Sequence, residues 1–267
     1  MTNGKFSGFL ILSDLDGTFY NGEALELNVK AVERFISMGG RFAFATGRSA
    51  QFLKEKDFFS VINAPACLVN GGIVYDFSTE QILYERHLEF TVGEFLNAVS
   101  GAVENLEKIC IFIDSTGKEA VLNGIICHDS ETLNVKPIKI ICVFKQEENA
   151  LKFKGWALKN NFFKDSYISR SWSIGVEFNA SNGTKGHALD FIKQKLGIHT
   201  AIGVGDFEND LELIKHADIG VAVGNAVDEL KMSADWVVKP CCEASIKDLI
   251  EKLEVEIDEG YEKRDFS

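Results

Sequence analysis

With 267 residues, 46% of them hydrophobic, the chain can bury a sizeable core as one large domain or two unequal ones. Its 40 acidic residues outnumber the 28 basic ones for a net charge of −12, which argues against bulk nucleic-acid binding, since that rests on a positive surface. Any site for an anion therefore has to be locally positive.

In chain order, Gly8 to Ser13 reads as a buried strand that stops at Asp14. Its apolar part, Phe9-Leu10-Ile11-Leu12, is too short for a secretory signal or a membrane span. Asn28 is expected to cap a helix whose Val29, Val32, Phe35 and Ile36 share one face and which Gly39-Gly40 ends. Arg41 to Ala45 and Ala66 to Val69 follow as strands, the first stopping at Thr46 and the second before Asn70-Gly71-Gly72. Ile73 to Phe77 and Gln81 to Tyr84 predict a hairpin turning at Ser78-Thr79-Glu80. Residues from about 85 to 180 break the rhythm, with strand-like runs at Ile109–Ile113, Ile138–Phe144 and Ser173–Phe178 among one or two helices. Strand–helix alternation then returns: helix Lys185–Leu196 with Gly197 as its C-cap, strand Ala201–Val204, helix Glu208–His216, strand Ile219–Val223 and a short strand Trp236–Val238. From Glu243 to Ser267, nine acids against four bases predict a solvated helix with a mobile end.

This pattern predicts an α/β fold: a Rossmann-like parallel sheet with helices on both faces, plus an inserted α/β domain. The expected boundaries are 1–83 and 181–267 for the core and 84–180 for the insertion. Ligands of such sheets bind beyond the carboxyl ends of the strands. Asp14, Thr46 and Asp206 all fall there and should converge. Six cysteines, at 67, 110, 127, 142, 241 and 242, form no C-x-x-C pair and read as reduced, mostly buried thiols of a cytoplasmic protein without a membrane partner.

Four segments can carry chemistry. In Asp14-Leu15-Asp16-Gly17-Thr18, one carboxylate can attack phosphorus while the other donates and accepts a proton; Asp-Gly is also a common turn pair. In Ala45-Thr46-Gly47-Arg48-Ser49, a hydroxyl and loop N–H groups can hold phosphate oxygens, or Thr46 or Ser49 can be an ordinary helix N-cap. Lys185, at a helix start, opposes the helix dipole unless an anion meets it; the alternative is a surface lysine. Gly205-Asp206-Phe207-Glu208-Asn209-Asp210 offers three acids that suit a hard cation, or else a favourable acidic helix N-terminus, with Asp210 orienting its neighbours.

Taken together, Asp14-Leu15-Asp16-Gly17-Thr18, Thr46-Gly47-Arg48, Lys185 and Gly205-Asp206 through Asn209-Asp210 resemble the haloacid dehalogenase superfamily. Their order and long gap resemble its Cof-like, type IIB branch, which includes sugar-phosphate, sucrose-phosphate and mannosylglycerate-phosphate phosphatases. Gly220-Val221-Ala222-Val223-Gly224-Asn225-Ala226 resembles that branch as well. Leu211, Leu213 and the pair Phe19-Tyr20 depart from its usual residues, and the inserted segment points to no named subfamily.

The resemblance implies a magnesium-dependent phosphatase of small phosphorylated metabolites, sugar phosphates foremost, with an inserted type C2 cap. It implies Asp14 as the nucleophile that becomes an aspartyl phosphate, and Asp16 as acid and then base. It further implies Mg2+ ligation by Asp14, Asp206 and the Asp16 carbonyl. Leu15, Thr46, Gly47, Lys185 and Asn209 would hold the phosphate, with Thr18, Arg48 and Asp210 in support. A phosphomutase of sugar phosphates and a non-catalytic phosphometabolite-binding protein stay open as alternatives, as do monomer and homodimer. The inserted segment carries 13 acids against 11 bases, so it is less acidic than the core and admits an anion more easily. Arg170, Trp172, Lys136 and Lys139 are its candidates to face substrate.

Overall fold

The computed structural model describes residues 4–20, 24–114, 118–124, 127 and 129–259. The chain opens with β1 (Phe9–Ser13), whose last four residues are buried. An uninterrupted apolar strand of this kind belongs in a parallel sheet covered on both faces. Next come α1 (Leu25–Ser37), β2 (Arg41–Phe44), α2 (Ala50–Lys54), β3 (Ala66–Leu68), β4 (Ile73–Asp76) and β5 (Gln81–Glu85). The last three form a small antiparallel sheet.

The middle of the chain contributes α3 (Val92–Val99), β6 (Leu106–Phe112), β7 (Glu119–Leu122), α4 (Ser130–Leu133), β8 (Lys139–Phe144), α5 (Glu147–Ala157), β9 (Ser166–Trp172) and β10 (Gly175–Ala180). Its five strands pair antiparallel in the order β7-β6-β8-β10-β9. Period-two alternation divides the two faces of this sheet. Ile109, Ile111, Ile140, Cys142, Phe144, Val176 and Phe178 point into a hydrophobic cluster with Phe95 of α3 and Phe153 of α5. The opposite face carries Phe112, Lys139, Ile141 and Glu177, brought alongside one another by the pairings Phe112↔Lys139 and Ile141↔Glu177.

The chain then returns to the first sheet through α6 (Lys185–Leu196), β11 (Thr200–Gly205), α7 (Leu211–His216), β12 (Ile219–Val223), α8 (Asp228–Ser233), β13 (Trp236–Val238) and α9 (Ser245–Asp258). The parallel order is β13-β12-β11-β1-β2. β1 lies between β11 and β2: the chain leaves β1 for β2 on one side and, after the antiparallel unit, returns to β11 on the other. The carboxyl end of β1 is therefore the switch point where such sheets open a crevice. A second hydrophobic cluster packs this sheet against its helices.

Three expectations are corrected. Asn28 does not cap its own helix, which starts at Leu25. Its Oδ1 instead accepts the Ile246 and Lys247 N–H groups, both at 3.1 Å, capping α9 from across the core, and its amide donates to the Phe19 carbonyl at 2.9 Å. The run Ser173–Phe178 is not one strand: Ser173-Ile174 is the turn between β9 and β10. Glu208–Asp210 forms a single 3-10 turn before α7 rather than its first turn. Gly197 does end α6, in the left-handed conformation at φ +63°. The acidic tail beyond residue 259 lies outside the described residues.

Candidate active site

Asp14 follows β1 directly, and its N–H donates to the Val204 carbonyl at 2.8 Å, so the sheet fixes its backbone. Lys185, the first residue of α6, is fully buried and donates to Asp14 Oδ1 and Asp210 Oδ1, each at 2.6 Å. A lysine in this unfavourable helix position is thus met by two anions. Burial alone would lower the Lys185 pKa, but the two carboxylates outweigh it and hold it above the ordinary lysine value. Asp210 has no oxygen to spare, because its Oδ2 accepts the Asp206 and Phe207 N–H groups at 2.9 and 3.2 Å.

Asp206 follows β11 directly and accepts from the Thr18 hydroxyl at 3.1 Å. Gly17, at φ +83°, lets the loop after β1 fold against it; a Cβ there would come within 2.6 Å of Asp206 Oδ2. Burial, then the charge of Asp210, pushes the Asp206 pKa up to about 7. Burial also raises Asp14 well above the usual carboxylate range, Lys185 pulling it back while Asp210 and Asp206 add to the rise. Both shifts come first from burial of the carboxylates, with neighbouring negative charge adding to it.

Oxygens from Asp14, Asp206 and Asp210 lie within 4.8 Å of one another. A hard divalent cation takes such an all-oxygen set. Since Asp210 is fully engaged, Asp14 and Asp206 are the residues with a carboxylate oxygen left to offer: neither Asp14 Oδ2 nor Asp206 Oδ2 accepts a hydrogen bond among the described residues.

Asp16 is half exposed, and Arg48 holds it through Nε to Oδ2 at 2.9 Å and Nη2 to Oδ1 at 3.2 Å. Thr46 is buried, its hydroxyl accepting the Arg48 N–H at 3.2 Å. Ser49, not Thr46, caps the short α2. The Leu15 side chain belongs to the core, while its carbonyl accepts the Phe19 and Tyr20 N–H groups and tightens the loop. Asn209 is buried and donates to Asn70 at 3.3 Å.

A cavity of about 570 Å³ opens above this cluster, within the range of small-molecule sites. Asp14, Asp16, Gly47, Arg48, Asp206 and Asn209 line its floor. Thr18, Thr46, Lys185 and Asp210 stand behind that floor. The polar face of the antiparallel sheet supplies the roof, with Phe112, Lys139, Ser171, Trp172 and Glu177. Of the four roof candidates, Lys139 and Trp172 reach the cavity. Arg170 is turned away to Glu208 at 2.7 Å and Glu147 at 3.0 Å, and Lys136 to Glu89 at 3.5 Å.

Sequence reasoning passed over Asn70 and Glu177. Asn70 sits in left-handed backbone at φ +57°, beside Val69 at +53° and Gly71 at +104°. Its amide donates to Ser171 Oγ at 3.0 Å and to Glu177, and its carbonyl accepts from Asn209, so one side chain joins the floor to the roof. The available signal was its position, a polar residue at the carboxyl end of a strand. Glu177 gave none, standing mid-strand between Val176 and Phe178.

The profile of the haloacid dehalogenase-like hydrolases matches residues 11–250, and the chain belongs to that family. Within it the chain is a phosphatase, in keeping with its relatives. It is 26% identical over 240 residues to the 5-amino-6-(5-phospho-D-ribitylamino)uracil phosphatase of Bacillus subtilis, spanning 85% of this chain and 88% of that one. It is 24% identical over 252 residues to a phosphoglycolate phosphatase of Sulfolobus acidocaldarius, spanning 91% and 96%. The fold matches a sugar phosphatase of subclass IIB with a TM-score of 0.72 at 21% identity, covering 92% of this chain and 99% of the other. A phosphatase of the superfamily from Bacteroides thetaiotaomicron gives a TM-score of 0.74 at 18% identity, covering 96% and 98%. Among the described residues, no helix is long and apolar enough to cross a membrane.

Proposed function

We propose that this chain is a magnesium-dependent, cytoplasmic phosphatase that hydrolyses small phosphorylated metabolites, sugar phosphates foremost, through an aspartyl phosphate on Asp14. Residues 1–83 and 181–267 form the catalytic core, and 84–180 form the cap that closes over it. The observation that carries this reading is the Asp14–Lys185–Asp210 cluster: a fully buried lysine shared by two carboxylates at 2.6 Å each, directly beneath a cavity. Six unpaired cysteines fit a reducing compartment.

Lys185 pulls Asp14 back toward its ionised form against the effect of burial and aims it, which a carboxylate nucleophile needs. Asp14 attacks phosphorus, forming a bond to its carboxylate oxygen as the bond to the leaving oxygen breaks. Asp16 delivers a proton to that leaving oxygen, and to do so it must release at least one of its two Arg48 contacts. Asp16 then takes a proton from water, which attacks the aspartyl phosphate and regenerates Asp14. The third N–H of Lys185, the Thr46 hydroxyl, the Leu15 and Gly47 N–H groups and the Asn209 amide hold phosphate oxygens. Thr18 and Asp210 fix Asp206. The Asp14 and Asp206 carboxylates, with the Asp16 carbonyl, would hold Mg2+, which when bound offsets charge on the carboxylates and the phosphoryl oxygens.

Phosphate release from a panel of phosphorylated metabolites, measured with Mg2+ and with chelator, tests this reading. Turnover should require the metal and vanish in Asp14→Asn. Turnover retained by that variant would sink the mechanism.

A further inference from the structure

The roof of the cavity holds a charged pair that the phosphoryl chemistry does not use. Lys139 and Glu177 are 1% and 2% exposed, yet both line the cavity. Their nearest charged atoms, Nζ and Oε1, stand 3.9 Å apart, too far for a direct hydrogen bond. The gap is not slack, because the core pins each partner. Lys139 donates to the Gly47 carbonyl at 3.2 Å and lies 4.3 Å over the Phe112 ring. Glu177 Oε2 accepts from the Asn70 amide. What remains is a donor on Lys139 and an acceptor on Glu177, both desolvated and held at a fixed spacing.

Only some chemical groups satisfy both at once. A hydroxyl donates and accepts, and its oxygen fits across the gap at about 2.8 Å from each partner. A carboxylate or second phosphate only accepts; it would satisfy Lys139 but face Glu177 with like charge. The rest of the roof offers such an anion no help. Glu119 is the third charged group there, so the roof carries one positive charge against two negative. Arg48, the other cation on the lining, belongs to the floor beside Asp16 rather than to the roof.

We infer that Lys139 and Glu177 together read a hydroxyl of the leaving group, so that this enzyme takes monophosphates of neutral polyols and sugars and discriminates against leaving groups that carry a second anion. The inference rests on the phosphatase reading above. It adds which residues choose the substrate and which phosphates they refuse.

The test compares kcat/KM for sugar and sugar-alcohol monophosphates, single-deoxy analogues of the best one, a sugar bisphosphate, phosphoglycolate and p-nitrophenyl phosphate. The wild-type enzyme should favour the neutral polyol over the two doubly anionic compounds by at least about tenfold, and loss of one particular hydroxyl should cost about as much. Glu177→Gln should lower the polyol rate relative to the p-nitrophenyl rate by a similar factor, with no further loss on the deoxy analogue. Because the deoxy series uses only wild-type protein, misfolding of the variant cannot mask the answer. Hydrolysis of p-nitrophenyl phosphate without preference for the polyol, or with every deoxy analogue as good as the parent, overturns the inference alone. No hydrolysis of any compound by metal-loaded protein overturns the phosphatase reading, and the inference falls with it.

Discussion

Replacing Lys185 by methionine keeps much of its length and removes its charge. In the native protein the ammonium touches two carboxylate oxygens at 2.6 Å. At an effective dielectric constant of about 20, each contact amounts to roughly 6 kcal/mol of Coulomb attraction, set against the cost of burying all three charges. Removing one partner of such a cluster leaves the others uncompensated, a change that costs about 3–5 kcal/mol. The variant has one escape, protonation of Asp14, whose pKa burial already holds well above the ordinary range. Without Lys185 it rises further. A carboxyl whose folded pKa exceeds its unfolded value of about 3.9 binds more protons when folded, so stability is lost as pH rises through the interval between them.

The variant should therefore lose most at pH 8 and clearly less at pH 5.5. Urea denaturation of chelator-treated protein at the two pH values, with the slope m held common, measures this. At pH 8 the loss corresponds to a fall in Tm on the order of 10 °C for a chain of this size. Turnover should fall by about a hundredfold or more, since Lys185 also faces the phosphoryl charge. A variant within about 1 kcal/mol of wild type at pH 8, or one that loses equally at both pH values, would refute the claim that Lys185 neutralises Asp14 and Asp210.

Metal affinity should follow the same logic. Burial pushes Asp206 up to about 7 and raises Asp14 as well, so Mg2+ competes with protons, and its Kd should weaken by at least about tenfold per unit as pH falls below 7; calorimetry in buffers of different ionisation heat counts the protons released. Glu208→Ala removes the shared partner of Arg170 and Lys154. It should cost roughly 2–4 kcal/mol and raise KM by loosening the cap, read from the urea midpoint and from proteolysis within 84–180. Asn28→Ala should cost about 2–3 kcal/mol, from the lost cap of α9 and a buried Phe19 carbonyl left without its donor, while kcat and KM of the folded enzyme stay unchanged.

The strands of the parallel sheet were legible because each is short and largely apolar, and because Asp14 and Asp206 follow β1 and β11 directly while Thr46 stands just past β2. The antiparallel unit was harder for a physical reason. β7 is a four-residue strand at the edge of its sheet with no residue fully buried, and β9 reads Ser-Tyr-Ile-Ser-Arg-Ser-Trp, too polar for an apolar-run signal. Choosing between Lys136 and Lys139 needed the register. Lys139 starts β8 opposite Asn179 on the cavity face, whereas Lys136 precedes the strand and points to Glu89. Asn28 defeated local reading altogether, since the N–H groups it caps lie 218 and 219 residues further along the chain.

The problem set by a charge of −12 is solved by position rather than by total. An anionic substrate approaching this protein feels mostly carboxylates at long range, and at physiological ionic strength those beyond about 8 Å are screened. What counts is the charge it meets inside the cavity, where screening is weak. There Lys185 cancels one of the two carboxylates it touches, Arg48 covers Asp16, and Asp210 is consumed by backbone N–H groups. Asp14 and Asp206 are left to a cation, with one oxygen each to give. On the roof Lys139 faces both Glu177 and Glu119, so the phosphate end of the cavity is made for charge and the far end has no surplus positive charge for a second anion. A monoester of phosphate on an uncharged polyol has that same polarity, charged at one end and hydroxylated at the other, and the two ends of the cavity match it in that order.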